Sequence, residues 1–154
     1  MYASEALKLL VGKTVQRVFM NEDYLKLELD QGSMVFAVSG DCCSQTVFYD
    51  FLGLTQLKAG PIVNVEELEM EECRLEDRKN YQDAIAFYGV RFTTQHPQFG
   101  PVSAVMSYRN YSNGYYGGSL EYSEFNQETN VQPELTDDCL ESVPDPLRKA
   151  ERET

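Results

Sequence analysis

Leu25, Leu27 and Leu29 alternate with Lys26, Glu28 and Asp30, the period-two pattern of a strand with one face buried and the other in water. Residues 13–20 are also extended in character, and Asn21-Glu22-Asp23 turns them into that strand. Asp30-Gln31-Gly32-Ser33 then turns the chain into a third strand over 34–39. The economical arrangement of these three is an antiparallel meander. Ahead of it, residues 4–10 predict a short amphipathic helix, with Ser4 as its cap and Gly12 just past its end. Behind it, Val47, Phe48, Phe51 and Leu52 recur at helical spacing. They predict a helix that starts near Cys43 or Ser44, breaks at Gly53 and packs on the sheet.

The second half is read the same way. Residues 62–70 predict a strand, and the mixed-sign polar run over 71–80 predicts a loop. Ala84, Ala86, Tyr88, Val90 and Phe92 mark one face of a long strand, and Val102, Ala104, Met106 and Tyr108 one face of the next. Both are expected to be central. A last strand over 119–125 directs Leu120 and Tyr122 inward. Past residue 126 the chain carries Pro133, Pro144 and Pro146 and a strong acidic excess, which predicts a tail over 126–154 leaving a domain formed by 1–125. The expected fold is α+β: an antiparallel, meander-like sheet of about six or seven strands with one main helix on it and a short N-terminal helix.

Composition restricts the function. With 154 residues, 42% of them hydrophobic, the chain suits one domain with a real core. Its apolar runs are far shorter than the roughly 20 residues a membrane helix needs. The start, Met1-Tyr2-Ala3-Ser4-Glu5, has neither the charged nor the apolar region of a secretory signal, so the expected location is the cytoplasm. A net charge of −12 repels nucleic-acid backbones and anionic membranes. The cysteines at 42, 43, 73 and 139 are spaced poorly for a disulfide scaffold and are expected to be reduced.

Two blocks carry chemistry. In Gly40-Asp41-Cys42-Cys43-Ser44, a thiol in the first turn of a following helix would feel the positive end of the helix dipole, which favours thiolate. Asp41 opposes that unless it caps the helix and spends its charge on backbone amides. The structural alternative is a strand-to-helix junction at Asp41 and Ser44, with Asp41 as cap, one cysteine buried as a small apolar residue and the other filling the turn. A cysteine-dependent enzyme would pair Cys42 or Cys43 with His96, the chain's one histidine. Zinc is not expected, because adjacent cysteines do not match the spacing of a tetrahedral site, and no cofactor motif is found.

The second block is Ser112-Asn113-Gly114-Tyr115-Tyr116-Gly117-Gly118. Asn-Gly explains a tight turn. It does not explain Tyr115 and Tyr116, which point to opposite sides of an extended segment, so that at least one reaches solvent or a groove. Exposed tyrosine combines a large apolar face with a polar tip and suits partner recognition. Tyr108, Arg109 and Asn113 join the two tyrosines as candidate binding residues, and Arg91 or Arg109 would be the cation for a small anionic ligand.

Asp41-Cys42-Cys43, Gly60-Pro61-Ile62, Phe87-Tyr88 and Ser112-Asn113-Gly114-Tyr115-Tyr116, taken in order, resemble a family of uncharacterised domains of phages and bacteria, over roughly residues 11–125. The resemblance implies a phage or prophage setting and no assigned chemistry. The expected function is a non-enzymatic binding module, a phage-type accessory protein that engages a host protein in the host cytoplasm and blunts a defence system. A small-anion or nucleotide-sequestering protein is the first alternative, and the cysteine-dependent enzyme the second.

Overall fold

A computed structural model describes residues 1–40, 44–69, 73–74, 84–112, 117–123 and 130–136. The chain opens with helix α1 (Ala3–Lys8), followed by strands β1 (Val15–Met20), β2 (Tyr24–Leu29), β3 (Ser33–Gly40) and β4 (Gln45–Leu52). Helix α2 (Leu54–Lys58) precedes β5 (Ile62–Glu69), the two-residue β6 (Cys73–Arg74), β7 (Ala84–His96), β8 (Gly100–Ser112), β9 (Gly118–Tyr122) and β10 (Glu134–Leu135). The strands form two five-stranded sheets. One has the order β10-β1-β2-β3-β9, the other β4-β8-β7-β5 with β6 also paired to β7. Every pairing is antiparallel.

The predicted meander is present as β1-β2-β3, and Leu25, Leu27 and Leu29 are the buried positions of its middle strand. The two long strands are central to the second sheet, paired from Ala84↔Ser112 to His96↔Gly100. One hydrophobic cluster joins the sheets: Val18, Met20, Leu27 and Phe36 from the first meet Phe48, Phe51, Phe92, Met106 and Tyr108 from the second. Phe51 stacks on Phe92 at 6.1 Å with an interplanar angle of 9°, and Phe48 meets Tyr108 edge-on at 6.3 Å. Aromatic pairs in such geometries add about 0.5–1.5 kcal/mol beyond the area they bury.

The main helix expected after the cysteines is absent, and the fold is mainly β. Residues 45–52 form β4, with Thr46, Val47, Phe48, Tyr49 and Phe51 all buried. A strand covered on both faces shows no alternation, and in so short an apolar run helical spacing arises by chance. The β-branched and aromatic content of Thr46-Val47-Phe48-Tyr49 decides for the strand. The helix that does form, α2, begins after Gly53, whose φ of 87° ends the strand. In α1 the cap is Tyr2, which makes no side-chain capping bond, so Ser4 is not the cap.

The segment after residue 129 returns to the core. Val131 and Leu135 are buried, and β10 adds to the edge of β1 through Val18↔Leu135 and Phe19↔Glu134. Arg17 fixes the same corner on the outer face. Its Nε and Nη2 donate to Glu28 Oε1 and Oε2 at 3.0 and 2.8 Å, and Glu134 Oε1 lies 4.0 Å from Nε. The hydrogen bond and charge of Glu28 raise the Arg17 pKa further above its ordinary value. Being exposed, the pair fixes register more than it stabilises.

Candidate functional site

The two sequence blocks lie about 70 residues apart in the chain, and the sheets bring their flanks to one end of the molecule. Gly40, which precedes 41–43, faces Gly118 across β3–β9, and Thr46 faces Asn110 across β4–β8. Ser112, which precedes 113–116, faces Ala84 across β7–β8. The four strand ends are pressed together. A Cβ added to Gly40 would lie 2.6 Å from Ser44 Oγ and 3.0 Å from Asn110 Nδ2, and one on Gly118 would lie 2.5 Å from Thr46 Oγ1. Residues without side chains at 40 and 118 are what let the paired ends of β3 and β9 lie so close to β4 and β8.

Asn110 is the centre of this junction. It is 0% exposed, and its Nδ2 donates to Thr46 Oγ1 at 2.8 Å and to Ser44 Oγ at 3.1 Å. Its Oδ1 is buried without a hydrogen-bond partner. Turning the amide over exchanges the roles, because both hydroxyls can donate, and leaves a nitrogen unpartnered instead. In either orientation one polar atom of a buried amide is unsatisfied, an arrangement that costs about 1–3 kcal/mol. Below it, Tyr88 stacks on Tyr108 at 5.1 Å and 13°. The Tyr88 hydroxyl accepts from the Gly118 amide at 3.4 Å, so the platform under this end is aromatic.

Of the candidate binding residues, Tyr108 belongs to the core. It is 6% exposed, between Phe48 and Tyr88, and so is not a surface contact. The inward register that places Ala104 and Met106 in the core places Tyr108 there too. Burial pushes its phenol well above the ordinary range, with Glu67 and Tyr88 adding to the effect, so the hydroxyl stays neutral.

Arg109 projects from the opposite face of the same strand. Its guanidinium carbon sits 3.4 Å from the Tyr49 ring centroid and 4.7 Å from that of Phe87, held over both π-faces, and its Nε is buried without a hydrogen-bond partner. Arg91 is different: at the surface it pairs with Glu66 at 3.6 Å.

Asp41, Cys42, Cys43, Asn113, Tyr115 and Tyr116 lie outside the described residues. Their described neighbours still decide two points. First, no helix follows the cysteine block. Ser44 leads into β4 and accepts from Asn110, so the helix-capping role of Asp41 and Ser44, and the dipole argument for a thiolate, lose their basis. Second, His96 lies at the other end of the second sheet. It faces Gly100 at the start of β8, whereas Gln45, next to Ser44, faces Tyr111 near the end of that strand. At about 3.3 Å per residue the separation is roughly 35 Å, so the described chain flanking the cysteines is remote from the histidine. Among the described residues, no group of three or more His, Cys, Asp or Glu is placed to hold a metal ion, and no helix is long and apolar enough to cross a membrane.

Asn110 and Thr46 are structural members of this end that the sequence motifs did not include, whereas Gly40, Gly118 and Tyr88 stood in the motifs without a role assigned to them. Asn110 was within reach, because it continues the inward face Ala104, Met106, Tyr108 by one more step and is polar where an apolar residue is expected.

Residues 8–122 match the family model described as Domain of unknown function (DUF7448), and the chain belongs to that family. No curated protein and no solved structure matches it.

Proposed function

We propose that this member of the DUF7448 family is a non-enzymatic binding module whose contact surface is the end of the two sheets where the strands flanking residues 41–43 and 113–116 meet. The observation that carries this reading is the junction itself: Gly40 against Gly118 and Thr46 against Asn110 bring the flanks of both segments onto one buried polar node. Binding segments are characteristically mounted on a rigid scaffold in this way. Tyr115 and Tyr116 supply the contact chemistry, as rigid amphipathic side chains that lose little entropy on docking. The net charge of −12 favours a partner with a basic surface and accelerates their encounter. The setting we assign is that of a phage-type accessory protein in the host cytoplasm, binding a host protein and inhibiting a defence system.

Affinity capture from host lysate with the full chain tests this. The wild type is expected to retain a specific protein, and Tyr115→Ala with Tyr116→Ala to lose at least about tenfold of that retention, equivalent to about 1.4 kcal/mol, at an unchanged melting temperature. Undiminished capture by the double variant would overturn the assignment. A second reading, a small anionic ligand such as a nucleotide, draws on Arg109, whose guanidinium is pre-oriented between Tyr49 and Phe87. The same capture separates the two: a phosphate-bearing small molecule retained by the wild type and lost in Arg109→Lys would favour the anion.

A further inference from the structure

At the end of the second sheet remote from that junction, His96 closes the turn between β7 and β8. Its Nδ1 accepts hydrogen bonds from the backbone amides of both Gln98 and Phe99, at 3.0 and 3.2 Å. Its ring packs on the Phe99 ring at 4.6 Å and 40°. Phe99 is 75% exposed, so the turn holds a large apolar side chain out into water. The molecule builds the same turn chemistry elsewhere with a different side chain. In the β1–β2 connection Asn21 Oδ1 accepts from the amides of Asp23 and Tyr24 at 2.9 and 2.8 Å, a side chain mimicking a backbone turn. An amide oxygen accepts at every pH. An imidazole nitrogen accepts only while it carries no proton.

We propose that His96 is a pH-responsive clasp: neutral, it pins the β7–β8 turn through two backbone amides and fixes the presentation of Phe99, and protonation at Nδ1 releases both. The exchange is simple. Neutral His96 carries its proton on Nε2. The second proton, taken from solvent, occupies the Nδ1 lone pair that the Gln98 and Phe99 amides were sharing, and three N–H groups then converge where two donors met one acceptor.

Gly100 opposite, and Gln95, Pro97, Gln98 and Phe99 beside it, are uncharged, as are Gly60 and Pro61, whose backbone meets that of Gln95. Lys58 at the end of α2, the element packed against this part of β7, is the nearest charged residue along the chain on that side, and Arg91 the nearest on β7 itself. Both are cations. Because Nδ1 is the acceptor, the clasp holds while the imidazole is neutral and is lost once Nδ1 carries a proton. It differs in residues and location from the proposed binding end, and neither proposal depends on the other.

Nuclear magnetic resonance of the full-length protein between about pH 8 and about pH 5 tests the clasp. The amide protons of Gln98 and Phe99 are expected to lose their hydrogen-bonded shifts with the same midpoint as the His96 ring protons, while those of Asp23 and Tyr24, held by Asn21, stay in place. His96→Asn is expected to keep the bonded shifts of residues 98 and 99 across the whole range, and His96→Ala to lack them throughout. Gln98 and Phe99 amides that do not follow the imidazole, or that still titrate in His96→Asn, would overturn the proposal.

Discussion

Phe92→Ala is expected to cost about 4 kcal/mol and to lower the melting temperature by roughly 8–16 °C. Phe92 is fully buried and stacked on Phe51 of β4. Across its own sheet it faces Ala104 on β8 and Val65 on β5. Ala104 is too small to fill the space a lost phenyl ring leaves, and Phe51 loses the ring it is stacked on. The loss therefore combines the transfer term with an unrelaxed cavity. Thermal unfolding followed by circular dichroism checks this. A fall of less than about 1 kcal/mol would mean that the two sheets do not share the core described here.

The second large effect is at a glycine. Gly60→Ala is expected to cost about 3 kcal/mol, roughly 6–12 °C in melting temperature. A Cβ at that position would fall 2.0 Å from the Gln95 carbonyl oxygen and 3.0 Å from its carbon. Both are backbone atoms, so no rotamer change relieves the clash. The backbone is also tied on both sides, by the Gln95 amide donating to Pro61 O at 3.1 Å and the Ile62 amide donating to Lys13 O at 2.9 Å. Gly100→Ala is the control: its φ is 75° with nothing within 4 Å, and it is expected to lose only about 1–2 kcal/mol from the left-handed backbone. Equal melting temperatures for the two variants would contradict the close approach. The Gly60-Pro61-Ile62 motif is thereby explained as a packing contact between the start of β5 and the end of β7.

How far the sequence could be read follows from the same physics. β2 and β8 were legible because one face is apolar and the other polar, so Leu25, Leu27 and Leu29, or Ala104, Met106 and Tyr108, announce both strand and orientation. β4 was not, because Val47, Phe48 and Tyr49 are all buried and alternation disappears. The division into two sheets was also hidden. It depends on β3 pairing with β9 and β4 with β8, contacts between segments far apart in the chain that leave no local signature. The return of β10 to the sheet rests on two residues, Glu134 and Leu135, too few to be seen against an acidic, proline-bearing stretch. At the candidate site the two blocks were visible as composition, and the junction that unites their flanks was not. Asn110 lies in the strand leading to one block and donates to Ser44 at the end of the other and to Thr46 in the strand that follows it.

The most direct test of that junction is an interstrand nuclear Overhauser measurement at Gly40. The described register predicts contacts from Gly40 to Gly118 across β3–β9, together with contacts from the Asn110 side-chain amide to Ser44 and Thr46. A Gly40 that shows neighbours from its own strand but none from Gly118 would place the two blocks apart and remove the basis for a shared binding end.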